Sequence, residues 1–376
     1  MYRRNRFNTG FILPIVLLVA AIVIVSIGII QLSKKEAKDE IATATKEVSE
    51  PLFNQITPTS PPGQRPSGSA TFPFQELTIP YLRSRKYKSE LTQLLKIAEN
   101  EKYTTYLTNY KSDGLKINGL LTIPNGPVPQ SSESGVGWPA IVFVHGYIVP
   151  ENYRTTINYA SYVDYLADNG FVVFKIDLRG HGDSEGEPGG AYYSSDYVID
   201  TLNAYSALQN SDFVNKEKIG IWGHSMAGNI VLRAFAAKTD VPAVVIWAGA
   251  GYTYTDLQEY MIEDNSYRTP PPNSERAKKR QELRDAYGTF DPNHWFWKQV
   301  PATNYLTDLK GAIQLNHAKD DRVVSLEYSS NLNKILDETA ITHELREYSA
   351  GGHNLTGSTF NEAMQNTVGF FEKYLD

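Results

Sequence analysis

The chain has 376 residues, with 36 basic against 42 acidic side chains and a net charge of −6, so it lacks the basic excess that a nucleic-acid partner would require. It contains no cysteine, which excludes disulfides, thiolate metal sites, a cysteine nucleophile and a lipidated cysteine anchor. An aromatic share of 12% with 24 tyrosines suits one packed catalytic-sized domain plus extras, and nothing in the composition asks for a cofactor or a metal.

Residues 1–10 include Arg3, Arg4 and Arg6, and Phe11 to Ile30 follow as an uncharged apolar run. At about 1.5 Å per helical residue this run spans roughly 30 Å, the thickness of a bilayer core. It is expected to be a transmembrane anchor over 11–30, with residues 1–10 in the cytoplasm by the positive-inside bias and the remainder outside. The alternative is a signal peptide cut near Ala42-Thr43-Ala44, giving a secreted protein. Residues 31–74 turn polar and then rich in proline, serine and threonine ("TPTSPPGQRPSGSA"), a flexible-linker composition that would hold the folded part away from the lipid. The folded domain is expected over 75–376.

Within it, 84–100 has a mixed helical spacing and reads as a short helix. "YTTYLTNYKSDGLKINGLLTIP" reads as a hairpin turning at Ser112-Asp113-Gly114. Apolar runs follow at Ala140, Gly170, Lys218, Ala243 and Gly311, and a last strand reads from His343 to Ser349. Helical segments lie between them near 158–169, 196–209 and 326–336, and a closing amphipathic helix spans 359–375. Unbroken apolar strands alternating with helices predict an α/β fold, a mostly parallel sheet covered on both faces. In such sheets ligands bind beyond the carboxyl ends of the strands.

The polar groups gather at those ends. His145-Gly146-Tyr147 closes one strand, Asp177 to Gly182 the next, and Gly223-His224-Ser225 the third. Asp320 and Asp321 follow His317, and Gly351-Gly352-His353 follows the last strand. A serine hydroxyl attacks only when a base removes its proton, and that base needs a third group to fix its tautomer. The order Ser225, an aspartate, then His353 suits this chemistry. Of the seven histidines, only His353 has the right order and a glycine-flanked loop; His294 and His343 read as surface or sheet packing. "GHSMAG" departs from G-x-S-x-G at Ala227, although Gly223 and Gly228 flank the turn. Asp320 and Asp321 are adjacent, and spacing alone does not choose between them.

From about Tyr103 onward, "FVHGY", "DLRGHGDSEG", "GIWGHSMAGN", "NHAKDDRVVS" and "GGHN" together resemble the α/β-hydrolase superfamily, and within it the catalytic domain of the prolyl oligopeptidase family and related esterases. The resemblance implies Ser225 as nucleophile, His353 as base, and Asp321 as the acid, since Asp321 takes the fifth place of H-G-x-x-D-x-x-V-P counted from His317. Ala318 and Ser325 depart from that pattern in the turn. It assigns the oxyanion hole to the backbone N–H groups of Tyr147 and Met226, and makes Arg179, His181 and Asp183 a structural turn.

About sixty residues separate Gly249 from Gly311, far beyond the usual 2 to 6. This stretch, about 250–310, is expected to form a helical cap, with a charged solvated helix over 273–288. "HWFWKQV" supplies Trp295 and Trp297, either for packing or to line a pocket. The sequon Asn354-Leu355-Thr356 adjoins His353, where a glycan would crowd the site. Two functions follow: a membrane-anchored serine hydrolase acting on short peptides or small esters, or a noncatalytic hydrolase-fold binding module.

Overall fold

The computed structural model describes residues 71–131, 135–260, 262, 270 and 272–375. The expected anchor at 11–30 and nearly all of the linker lie outside the described residues, among which no helix is long and apolar enough to cross a membrane.

Nine strands form the main sheet: β1 Leu95–Glu99, β2 Tyr103–Ser112, β3 Leu115–Pro124, β4 Trp138–Val144, β5 Val172–Ile176, β6 Val214–His224, β7 Ala243–Trp247, β8 Ala312–Ala318 and β9 Thr342–Tyr348. Their spatial order is β1-β2-β3-β5-β4-β6-β7-β8-β9. β1, β2 and β3 are antiparallel, as is the β3–β5 pair; every pair from β5 to β9 is parallel. The β2–β3 hairpin turns at Asp113 (φ 51°) and Gly114 (φ 84°), the two left-handed positions that an Asp-Gly pair fills readily.

Every residue of β5 and β7 is buried, because helices cover both faces. On one face lie α1 (Ile79–Ser84), α3 (Asp196–Gln209), α4 (Ala227–Ala237) and α6 (Glu327–Asp337), packing on Val142, Phe174, Ile221 and Val244. On the other lie α2 (Ala160–Asp168) and α7 (Ser358–Leu375), packing on Phe143, Val173, Trp222 and Trp247. This is the expected α/β architecture. The successive strands β4, β6, β8 and β9 therefore deliver the polar turns named above to one edge.

One element differs. Residues 84–100 do not form a helix: α1 stops at Ser84, and Leu95–Glu99 is the edge strand β1 with all five residues exposed. Its backbone pairs with β2 from Leu95↔Leu107 to Glu99↔Thr104. With neither face covered, side-chain periodicity carries no signal there, and the β2 ladder decides.

In the insertion, α5 (Glu275–Tyr287) starts at Ser274, whose Oγ accepts from Ala277 N at 3.2 Å, and ends at Gly288 (φ 70°). Leu283 is its one buried residue, as a solvated charged helix requires. Phe296 and Trp297 pack with Tyr254, Leu283 and Val300 in a separate aromatic cluster, and Trp297 is only 2% exposed. The rings of Tyr287 and Phe296 stack at 3.8 Å. Phe72, from the segment preceding α1, meets Trp295 edge-on at 5.2 Å, and Tyr287 Oη donates to Pro73 O at 2.7 Å. Packing is the role the structure gives both tryptophans.

Candidate active site

Ser225 sits between the end of β6 and the start of α4, at φ 56°. A left-handed non-glycine residue costs roughly 1–2 kcal/mol, so its surroundings must hold it. They do: Ser225 N donates to Trp247 O at 2.9 Å, and Ser225 O accepts from Gly228 N at 2.8 Å and Ala250 N at 3.3 Å. Its Oγ makes no hydrogen bond among the described residues. A Cβ on Gly223 would lie 2.8 Å from Val231 Cγ1, and one on Gly228 would lie 2.7 Å from the Gly249 Cα. The close approaches that demand glycine thus fall at 223 and 228, and the fully buried Ala227 fits between them.

His353 follows Gly351 (φ 133°) and Gly352 (φ 60°), and its Nδ1 lies 2.8 Å from Asp321 Oδ2. The carboxylate accepts, so the proton sits on Nδ1 and the Nε2 lone pair is free to act as a base. The Asp321 side chain is wholly buried. Its Oδ1 accepts from Val323 N (2.8 Å) and Val324 N (3.0 Å), and His317 Nε2 approaches Oδ2 at 3.2 Å. Burial pushes this carboxyl up, but the hydrogen bonds from His317 and His353 outweigh it and hold the pKa well below the ordinary carboxylate range. Asp320 is exposed and points elsewhere, accepting from Gly352 N at 2.8 Å. Of the two adjacent carboxylates, one meets the imidazole and the other braces the loop that carries it.

The amides of Tyr147 and Met226, the two expected oxyanion donors, make no hydrogen bond to other described residues. Beneath the Tyr147 loop lies a buried network that the sequence reading missed. The His145 ring lies 4.4 Å from the Tyr153 ring; Tyr153 Oη donates to Asp177 Oδ1 (2.8 Å) and Thr155 Oγ1 to Asp177 Oδ2 (2.6 Å). Lys175 Nζ, fully buried, donates to Thr155 O (2.6 Å) and Tyr153 Oη (3.0 Å), and desolvation pulls its pKa down to about 8. A lysine and an aspartate alternating on a strand that otherwise reads as apolar were the available signal. Arg179 makes paired hydrogen bonds to the buried Asp200, a structural anchor as expected. His343 bonds Asp337, and His294 Nδ1 accepts from Phe296 N, both away from Ser225. Among the described residues no group of His, Asp and Glu is arranged to hold a metal.

The sheet order, with the serine on a strained strand-to-helix turn and the His353–Asp321 pair at the same edge, is that of the α/β-hydrolase fold. The comparisons agree. A family model described as "Serine aminopeptidase, S33" matches residues 139–268. The human Protein ABHD12B is 26% identical over 210 residues, covering 53% of this chain and 50% of that protein. An uncharacterized 31.7 kDa protein of Escherichia coli is 25% identical over 113 residues, 30% of this chain and 38% of that one. The chain thus spans half or less of the length of these curated relatives. Among solved structures, acetyl xylan esterase 1 from Thermoanaerobacterium superposes with TM-score 0.53 at 20% identity, over 79% of this chain and 93% of that one. A puromycin-hydrolyzing peptidase of Mycobacterium tuberculosis gives 0.54 at 17%, over 74% and 40%. At these identities the likeness is one of fold.

Proposed function

We propose that the chain is a serine hydrolase that cleaves short peptide amides or small carboxylic esters through an acyl-enzyme on Ser225. The observation that carries this reading is the His353 Nδ1–Asp321 Oδ2 hydrogen bond, on the same sheet edge as a buried serine hydroxyl that makes no hydrogen bond among the described residues. His353 Nε2 takes the Ser225 proton as Oγ bonds to the substrate carbonyl carbon. The oxyanion that forms accepts from the Tyr147 and Met226 amides, donors of a kind worth roughly 3 kcal/mol each to such transition states. His353 then returns the proton to the leaving amine or alkoxide as the carbon–heteroatom bond breaks. In the second half water takes the place of Ser225: His353 removes its proton as the water oxygen bonds to the acyl carbon, then gives that proton to Ser225 Oγ as the acyl–Oγ bond breaks, and the carboxylic acid leaves. The structural neighbours include an esterase and a peptidase, and both reactions follow this path.

A fluorophosphonate probe should label the protein at Ser225, and Ser225→Ala should not label. Equal labelling of the two would refute the reading and favour a noncatalytic module. A panel of p-nitrophenyl esters and Pro- or Ala-linked peptide amides then separates esterase from peptidase. We also propose that the chain is membrane-anchored by residues 11–30 with the hydrolase domain outside the cytoplasm. The support is the uncharged length of that run; recovery of the intact protein in the soluble fraction would count against it.

A further inference from the structure

The residue before the candidate nucleophile, His224, is buried at the centre of a hydrogen-bond chain that touches both halves of the site. Gly146 N donates to Tyr159 Oη at 3.0 Å; Tyr159 Oη lies 2.7 Å from His224 Nδ1; and His224 Nε2 lies 2.9 Å from the backbone carbonyl of His353. The directions are forced. A carbonyl only accepts, so Nε2 carries the proton, Nδ1 accepts, the Tyr159 hydroxyl donates to it, and a Tyr159 lone pair takes the Gly146 N–H. All three links are satisfied by one tautomer of one neutral imidazole. Burial, reinforced by the neighbouring His353 ring, pulls the His224 pKa down to about 3, so the ring stays neutral at ordinary pH.

The backbone is shaped around this chain. Tyr159 stands at φ 62°, the left-handed region again, at the start of α2. A Cβ on Gly146 would lie 2.7 Å from Tyr159 Oη, so only glycine admits the contact. The His224 and His353 rings are 4.7 Å apart, which brings the contact next to the base itself.

We infer that His224 is a positioning residue: as its Nε2–H tautomer, set by the His353 carbonyl and matched by the Tyr159 hydroxyl, it ties the oxyanion loop at Gly146 to the loop that carries His353. The inference rests on the reading of Ser225, His353 and the Tyr147 amide given above. Its consequence is that breaking the tyrosine link uncouples the two loops. Without the Tyr159 hydroxyl, His224 Nδ1 and Gly146 N both lose their partner while Nε2–H still donates to the His353 carbonyl, so His224 keeps its hold on the base loop and loses the oxyanion loop. The ground-state fit of substrate changes little, while the placement of the oxyanion donor relative to the base loosens, so the loss should fall on kcat.

The test uses the full chain with p-nitrophenyl butyrate and ¹⁵N-histidine NMR. Tyr159→Phe should lower kcat about tenfold, the worth of one well-placed hydrogen bond in a transition state, with KM within about twofold. His224→Leu should lose more, and His224→Gln, whose amide can still donate toward the His353 carbonyl, should recover most of that loss. Should His224→Leu fail to fold, Tyr159→Phe and His224→Gln carry the comparison. The NMR reads the inference independently of turnover: His224 should show a protonated Nε2 and an unprotonated Nδ1 at pH 7, and Tyr159→Phe should shift the Nδ1 resonance as its donor is lost while Nε2 stays protonated. Wild-type kcat in both Tyr159→Phe and His224→Leu, an equal rise of KM and fall of kcat, or an Nδ1–H tautomer in the wild type would each overturn it. Failure of Ser225 to label would instead sink the reading of the nucleophile, and the tautomer measurement would still decide the hydrogen-bond chain.

Discussion

Replacing Asp321 by asparagine has an outcome that the geometry works out. An asparagine presents one oxygen and one NH₂ where the carboxylate presents two acceptors. If the NH₂ takes the Oδ2 position, it faces His353 Nδ1–H and His317 Nε2–H, donor against donor. His353 then moves its proton to Nε2 and can no longer accept from Ser225. If the NH₂ takes the Oδ1 position instead, it faces the amides of Val323 and Val324, and two short hydrogen bonds are lost at a cost of roughly 1–3 kcal/mol for each buried donor left unmade. The first orientation is therefore favoured, and in either the charge that stabilises the imidazolium is gone. A reversed tautomer in such a site lowers kcat by about 10⁴, some 5.5 kcal/mol at about 1.4 per decade. Asp320→Asn keeps an oxygen for Gly352 N and should cost less than about threefold. The assay is kcat on p-nitrophenyl butyrate, with a thermal melt to confirm that each variant is folded. An Asp321→Asn within tenfold of wild type, or an Asp320→Asn that falls as far, would refute the assignment.

Gly228→Ala places a Cβ 2.7 Å from backbone at Gly249, which cannot swing aside as a side chain could. It should cost about 1–3 kcal/mol in urea unfolding and displace Ser225; unchanged stability would show that the turn has slack. His224 binds a proton at about 6.5 when unfolded but only near 3 when folded, so acid favours the unfolded chain and stability is lost as pH falls below 6.5. Between pH 7 and 5 this group should remove about 2 kcal/mol. The buried carboxyls Asp177 and Asp200, raised by desolvation, act in the opposite sense, so the quantity to measure is the difference between wild type and His224→Gln, whose urea midpoint should depend less on pH. Equal slopes in the two proteins would contradict a neutral buried His224.

The parts legible in the sequence were those written in side-chain pattern. β7 is buried on both faces and reads as an unbroken apolar run, and β5 does so but for Lys175; Ser274 and Gly288 bracket the insertion helix with ordinary cap residues. Ser225 and His353 stood out because each follows a strand end with glycine nearby, whereas Asp321 was separated from Asp320 by the family resemblance alone. What could not be read depends on folding back. β1 exists through its backbone ladder to β2, which leaves no trace in exposed side chains. Tyr159 and His224 are 65 residues apart, and nothing local distinguishes Tyr159 from its neighbouring tyrosines. Asp320 reads as a surface charge, and its bond to Gly352 spans 32 residues. Composition placed Phe72 and Phe74 with the linker, yet both rings pack on the insertion's aromatic cluster.

That last contact sets where the folded body begins as a physical object. A chain cut at residue 75 would leave Trp295 without its edge-on ring and Tyr287 without the Pro73 carbonyl, exposing aromatic surface of the kind that drives association. Phe72 and Pro73 thus belong to the folded body, and a shortened protein that keeps the aromatic cluster covered must begin before Phe72.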